Sequence, residues 1–342
     1  ALNPPHSSSG SPAMGRGRTW IALRLMAFAA VAGIGAALAL GYLGWLHPAF
    51  DSFSHLRLHL AALLLLAAPL LLILRFRIEA LFAVVLGVAS VAQTVEWQAA
   101  PGSASAGQEA AAGAGSGPVY RLMHLNLRYD NPTPEAVLSL IGRVRPDIMT
   151  LTEVSPPWVG KLALLEAAYP YRLICRPPTF IGAAAILSRR PFAAGTEPAC
   201  ADRGAFAHAR IDLGGREIEV AAVHMGWPWP FEQPWQLPRL EPLLAAVGGM
   251  AIVAGDLNAA PWSQSARRLA IAADARILRG VGPTWLDRRL PERLLPWIGL
   301  PIDNLMVKGE IVPATPRTLE HVGSDHLPVL MEFRWEPDLS QP

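Results

Sequence analysis

Six short apolar runs beyond residue 118 end, or in two cases begin, at a carboxylate, an amide or an imidazole. Asn126 closes VYRLMHLNL, Glu153 closes PDIMTLTE, His224 closes IEVAAVH, and Asp256 and Asn258 close AIVAGDLN. Asp303 opens IDNLMV, and Ser324, Asp325 and His326 precede LPVLMEF. An unpaired carboxylate at the end of a buried strand costs several kcal/mol, so such a set persists only where metal or phosphate chemistry employs it. Phosphodiester hydrolysis needs a cation against the nonbridging oxygens, an activated water and an acid or metal for the leaving oxygen. Hard oxygen donors suit Mg2+ or Mn2+, whereas the lack of a Cys or clustered His set argues against zinc.

The elements that must hold these residues are short. Apolar alternation and β-branched content predict strands over 120–127, 148–152, 183–188, 207–212, 217–224, 251–254, 305–307 and 328–333. Helical spacing predicts helices over 134–144, 157–168, 238–247 and 263–272. Strands that alternate first with helices and later with other strands imply a mixed sheet packed inside helices.

The ordered motifs LNLR, PDIMTLTEV, AAAILSRRP, AAVHMG, VAGDLNAAPWS, PIDNLMV and GSDHLPV resemble the endonuclease/exonuclease/phosphatase (DNase I-like) superfamily, in a membrane-anchored bacterial branch. Each motif is weak alone; seven in family order are specific. The resemblance implies a four-layer αββα fold, a two-sheet β-sandwich flanked by helices, and a divalent-metal-dependent phosphoesterase. By the same resemblance Glu153 is the principal metal carboxylate, with Asn126 supporting it and Asp325 reaching the metal region. Asp256 orients or deprotonates the attacking water, and Asn258 donates its amide to the phosphate. His326 pairs with Asp303 as an Asp-His dyad, while His224 binds the phosphate or protonates the leaving oxygen. The sequence departs from the family at Asn304, where many members carry His or Tyr, which implies altered local substrate contacts. Ser324 is expected to fix the Asp325-His326 turn. His124, His208 and His321 match no motif and are expected to be structural or surface residues, and His47, His55 and His59 interfacial ones.

Ahead of this region the composition changes. The whole chain of 342 residues is 52% hydrophobic and 16% charged, against about 25% charged in an average soluble protein. Residues 25–46 form a charge-free run long enough to cross a hydrocarbon core, and shorter runs at 58–74 and 80–95 suggest two further spans flanked by Arg57, Arg75 and Arg77. The expected organisation is a disordered cytoplasmic tail at 1–19, a transmembrane region of about three helices at 20–97, a flexible linker at 98–118, a catalytic domain at 119–336 and a tail at 337–342. Arg16, Arg18 and Arg24 precede the first run, and Arg75 and Arg77 separate the second from the third. The positive-inside rule then predicts a multi-pass protein of the inner (plasma) membrane with the catalytic domain in the periplasm.

The substrate is less constrained. Residues 119–342 hold 23 basic and 23 acidic residues, a balance that disfavours tight duplex binding, although Arg288, Arg289 and Arg293 could form a basic rim. The run from His224 to Trp235 carries three Trp and one Phe among prolines. It could stack bases, lie beside a lipid head group, or simply cover the sandwich. The expected partners are therefore the bilayer and a phosphodiester of either nucleic acid or lipid. The competing reading is a non-catalytic, membrane-tethered binding or scaffold protein that retains the fold. Cys175 and Cys200 flank one strand and are either bridged or two free thiols.

Overall fold

The computed structural model describes residues 13–98, 118–176 and 179–335, which form two compact units. One unit takes in residues up to Ala39 and Arg57–Ala92; the other takes in Leu40–Leu56 and everything from Gln93 onward. The expected tail, linker and C-terminal extension lie largely outside the described residues.

The first unit is built from apolar helices: α1 (Ala13–Leu40), which extends to its boundary, α3 (Arg57–Ile73) and α4 (Arg77–Gln98), which begins in it. Val31, Leu38, Ala61, Leu64, Ala68 and Leu71 make its buried seam. Arg18–Leu40 and Arg77–Gln98 are long and apolar enough to cross a membrane; α3 and the short α2 (Pro48–His55) meet at a 69° bend and would make a third span only if counted together. The run expected to cross over 25–46 stops being helical at Leu40, ahead of the glycines at 41 and 44. At Gly44 a Cβ would lie 2.8 Å from Asp51 Oδ1, so a larger residue could not pack there.

The second unit is a sandwich of two sheets. The first contains β1 (Tyr120–Asn126), β2 (Ile148–Val154), β3 (Tyr171–Ile174), β4 (Ala183–Ser188), β11 (Ile311–Pro313), β12 (Arg317–Thr318) and β13 (Val329–Trp335), in the order β11-β13-β1-β2-β4-β3 with β12 on β13. The second contains β5 (Ala199–Ala201), β6 (Phe206–Asp212), β7 (Glu217–His224), β8 (Ala251–Asp256), β9 (Arg276–Ile277) and β10 (Asp303–Lys308), in the order β5-β6-β7-β8-β10-β9. Helices α5 (Pro134–Val144) and α6 (Pro156–Ala163) cover the outer face of the first sheet, and α7 (Gln233–Ala245) and α8 (Gln264–Ala272) that of the second. The short α9 (Leu295–Ile298) lies in the segment before β10. These are the four layers expected of the αββα fold.

Strand alternation sorts the residues. Leu122, Ile148, Ile186, Val220, Ile252, Leu305 and Met331 face inward and fill the space between the sheets, while Met123, Met149, Val253 and Met306 face the helices. Every strand predicted from the sequence is present; β3, β5, β9, β11 and β12, all four residues or shorter, are additional. Helix α7 begins at Gln233 rather than Pro238, carrying Pro238 and Pro242 inside it.

The largest difference from expectation lies at 48–55. Instead of a loop between spans, these residues form α2, which docks on the sandwich unit. Asp51 Oδ1 accepts from Gln264 N (2.7 Å), and Oδ2 accepts from Ser265 N (2.9 Å) and Ser265 Oγ (2.7 Å). A carboxylate there meets the orphan amides and positive dipole end of α8. Trp262 Nε1 donates to Ser54 O at 2.7 Å, and Ala260 N donates to His55 Nδ1 at 3.1 Å. His55 is therefore a buried anchor and not an interfacial side chain.

Candidate active site

The inner rows that fill the core turn polar at one end of the sandwich. On β1 the row Leu122, His124, Asn126 runs from core to site; on β7 and β8 the rows end at His224 and Asp256. Register does the rest: His224 pairs with Asp256 across parallel β7 and β8, and Asp303 pairs with Asp256 across antiparallel β8 and β10. Three of the candidate site residues thus stand in one line. Gly255 permits this close approach, since a Cβ there would sit 2.0 Å from Val223 O.

Glu153 reaches the same edge by a different device. Its place on β2 would point it at the helices, but the ladder with β4 shifts register between Leu151 and Val154, and Glu153 takes the left-handed φ of 54°. Gly182 opposes this kink, where a Cβ would fall 2.5 Å from Ser155 N. A non-glycine residue held at positive φ is uncommon and concentrates at functional sites.

The polar atoms are closely paired. Asn126 Nδ2 donates to Glu153 Oε1 (3.1 Å) and to Asp256 Oδ2 (2.9 Å), bridging the two carboxylates, while Asn126 Oδ1 accepts from Arg128 N. Glu153 Oε2 accepts from Tyr129 N at 2.9 Å. His326 Nδ1 lies 2.8 Å from Asp303 Oδ2, and His124 Nε2 lies 3.1 Å from Asp303 Oδ1. His124 Nδ1 is 3.1 Å from both the hydroxyl and the carbonyl oxygen of Thr150, and a proton on Nε2 serves the Asp303 carboxylate. His124, expected to be a structural or surface residue, is the former: it is fully buried and holds Asp303. Strand alternation was the available signal, because His124 and Asn126 share a face.

His224 Nε2 and His326 Nε2 each stand 3.7 Å from Asp256 Oδ2. Burial raises the Asp256 carboxyl above its ordinary range, and Asp303 beside it acts in the same direction. Burial also opposes charge at Asp303, but the nearby His326 and His124 hold its carboxyl below the usual range. Against the same burial, Asp303 and Asp256 push the His326 imidazole up to about 10.

Asn258, at φ 45°, donates its backbone N–H to Asp256 Oδ1 (2.9 Å) and its side-chain amide to Met225 O (2.7 Å). Ser324 Oγ donates to Asn126 O and accepts from His326 N, pinning the turn that presents Asp325. Asn304 is not among the residues lining the cleft; its amide donates to Ala259 O and Ile302 O, so at this departure from the family pattern the side chain braces a loop.

Glu153, His224, Asp256, Asn258, Asp325 and His326 line one cleft of about 420 Å³. Its walls include Trp227, from the aromatic run after His224, and residues with no warning in the sequence: Asp202 and Arg203, both at positive φ, Gln236, Arg239 and Trp285. Gln236 donates to His224 O and accepts from Gly226 N, and Gln233 donates to Leu257 O and Asn258 O, so α7 braces the loops after β7 and β8. Beside them Cys175 and Cys200 form a disulfide. Arg288 pairs with Asp130 and lies outside this cleft.

Asp256, Asp303 and His326 also bring one ligand atom each within 4.8 Å of one another. Both Asp303 oxygens are engaged by histidines, so this trio is a hydrogen-bonded dyad beside a carboxylate. Of the carboxylates lining the cleft, Asp202 and Glu232 are paired with Arg239, which leaves the oxygens of Glu153, Asp256 and Asp325, beside the imidazoles of His224 and His326, as donors that fit a hard divalent cation.

The chain is thus a four-layer sandwich with carboxylates, amides and imidazoles gathered at one end of its sheets. The chain belongs to the endonuclease/exonuclease/phosphatase family, which matches residues 123–326 and whose members are metal-dependent phosphoester hydrolases. Among solved structures, an endonuclease/exonuclease/phosphatase from Bacteroides vulgatus is 16% identical with a TM-score of 0.53, covering 64% of this chain and 100% of that one. D. rerio TDP2 complexed with a single-strand DNA product is 15% identical with a TM-score of 0.52, covering 63% of this chain and 99% of that one. No curated protein sequence matches.

Proposed function

We propose that this protein is a membrane-anchored, divalent-metal-dependent phosphodiesterase of the plasma membrane, with its catalytic domain on the extracytoplasmic side. The observation that carries the catalytic reading is the convergence of Glu153, Asp256, Asp325, His224 and His326 on one cleft. Apolar α1 and α4 support the anchor, and the arginines at 16, 18, 24, 75 and 77 support the orientation. The Cys175–Cys200 bridge fits an oxidising compartment.

Glu153 and Asp325 would hold Mg2+ or Mn2+, with Asn126 aligning Glu153 against Asp256. Once bound, the cation would neutralise the nonbridging phosphate oxygens. Asp256, starting as the carboxylate, takes a proton from water as the water oxygen bonds to phosphorus, and its burial raises its affinity for that proton. His326, held by Asp303, presents Nε2 as a charged donor to the phosphate, and Asn258 adds its remaining amide hydrogen. The bond from phosphorus to the leaving oxygen breaks, and His224 delivers the proton that oxygen needs. Asp303 supplies orientation and charge to His326 and takes no proton.

The direct test is hydrolysis of bis(4-nitrophenyl) phosphate by the detergent-solubilised full chain. Turnover is expected with Mg2+ or Mn2+, to vanish with EDTA, and to be lost in Glu153→Gln. Metal-independent turnover, or none with either ion, would contradict the proposal.

A further inference from the structure

The aromatic run after His224 does not cover the sandwich. Trp227, Trp229, Phe231 and Trp235 remain 47%, 43%, 62% and 58% exposed. Trp227 is also a wall of the catalytic cleft, packed edge-on against Trp285 at 5.3 Å. The exposed aromatic surface and the mouth of the site are therefore continuous.

This surface touches the segment that follows the first apolar helix. His47 lies seven residues beyond Leu40, the end of α1; its ring packs edge-on against Trp229 at 6.0 Å, and Ser52 Oγ donates to Trp229 O at 3.0 Å. The contact is fixed, because α2 is held by Asp51, Ser54 and His55 to residues 260–265, the loop that follows Asp256 and Asn258. At the C-terminal end of α4, Gly280 N donates to Trp97 O and Arg279 lies over the Trp97 ring, in the segment that leads to Trp285. Both chain connections to apolar helices thus land on loops of the catalytic end of the sandwich. Exposed Tyr42, Trp45 and Leu46 extend the apolar character of the first connection.

From this we infer that Trp229, Phe231 and Trp235 form an interfacial surface that seats the open end of the cleft on the bilayer, and that the substrate is the phosphodiester head group of a membrane lipid. The inference rests on the anchored-phosphodiesterase reading above and names its substrate class. Trp side chains favour the depth of lipid head groups. Between Met225 and Pro238 the only charged residue is Glu232, so the surface suits a zwitterionic interface and not an anionic one. A single strand of nucleic acid stacked on the same rings would instead call for a row of free cations along its backbone, and of the two arginines on the cleft walls, Arg203 and Arg239, the second is already paired with Asp202 and Glu232.

The full chain in nanodiscs tests this with two readouts. With phosphatidylcholine brominated near the head group, Trp235→Phe should remove part of the quenched tryptophan emission; unchanged quenching overturns the interfacial surface. With Mg2+, the double variant Phe231→Ser/Trp235→Ser should lose at least tenfold in hydrolysis of phosphatidylcholine or sphingomyelin vesicles while bis(4-nitrophenyl) phosphate turnover changes by less than twofold. Equal lipid turnover by both proteins, or cleavage of single-stranded DNA but of neither lipid, overturns the substrate class. If wild type fails on the soluble ester itself, the phosphodiesterase reading falls, and the bromolipid readout still judges the surface.

Discussion

The floor of the cleft and its rim are built on opposite rules. On the floor Asn126, Asp256, Asp303 and His326 are buried; the first three end strand rows whose other members pack the core, and His326 lies in the turn just ahead of β13. On the rim Trp229, Phe231 and Trp235 follow no strand row, and are held from behind by α2 and by the glutamines of α7. Chemistry demands positions fixed to a fraction of an ångström, which a sheet supplies; contact with an extended partner demands exposed area, which loops supply. Under the proposed function the molecule divides reaction from delivery.

Breaking the floor should have the largest effect. Asp256→Asn leaves the shape but removes the proton acceptor, and kcat on a soluble phosphodiester should fall on the order of 10² to 10⁴-fold. A loss below tenfold would move the acceptor role elsewhere. Next, His124→Phe strands one oxygen of fully buried Asp303, and urea unfolding should show a cost of about 1–3 kcal/mol. An unchanged midpoint would mean that His326 alone satisfies Asp303.

The brace behind the rim gives a smaller and separable effect. Asp51→Ala leaves Gln264 N, Ser265 N and Ser265 Oγ without their acceptor and should lower stability by about 1–2 kcal/mol, with Asp51→Asn recovering part of it. The same contacts mean that a fragment beginning at Pro118 lacks part of its own domain and should melt below the full chain.

Smallest is a pH effect at Glu219, remote from the site. Burial would raise its carboxyl, but Gly248 N–H, Arg210 and His208 hold it below its ordinary value of 4.5. A carboxylate depressed on folding stabilises the protein above that value and ceases to do so as pH falls through and below it. The urea midpoints of wild type and Glu219→Gln should accordingly differ at pH 7 and converge toward pH 3. A constant gap would show that Glu219 contributes only through packing.

What was legible in the sequence follows the same division. The eight longer strands and their polar ends could be read because inward alternation and burial cost act within a few consecutive residues. That His124 is structural rather than a surface residue, and that it holds Asp303, could not be read because Asp303 lies 179 positions away, although its place on the Asn126 face is visible. The docking of α2 could not be read, since Asp51 and His55 gain their meaning only from residues 260–265. Helix α7 was started too late because Pro238 looks like a first-turn proline, whereas Gln233 and Gln236, the residues that brace the site, lie ahead of it.

The central claim is that scattered strand ends assemble one divalent-metal site. Titrating Mn2+ into the full chain and counting free ion by electron paramagnetic resonance tests it without any substrate. Wild type should show saturable binding, and Glu153→Gln should bind more weakly by about tenfold or more. Identical isotherms for the two proteins, or no saturable binding to either, would contradict the account.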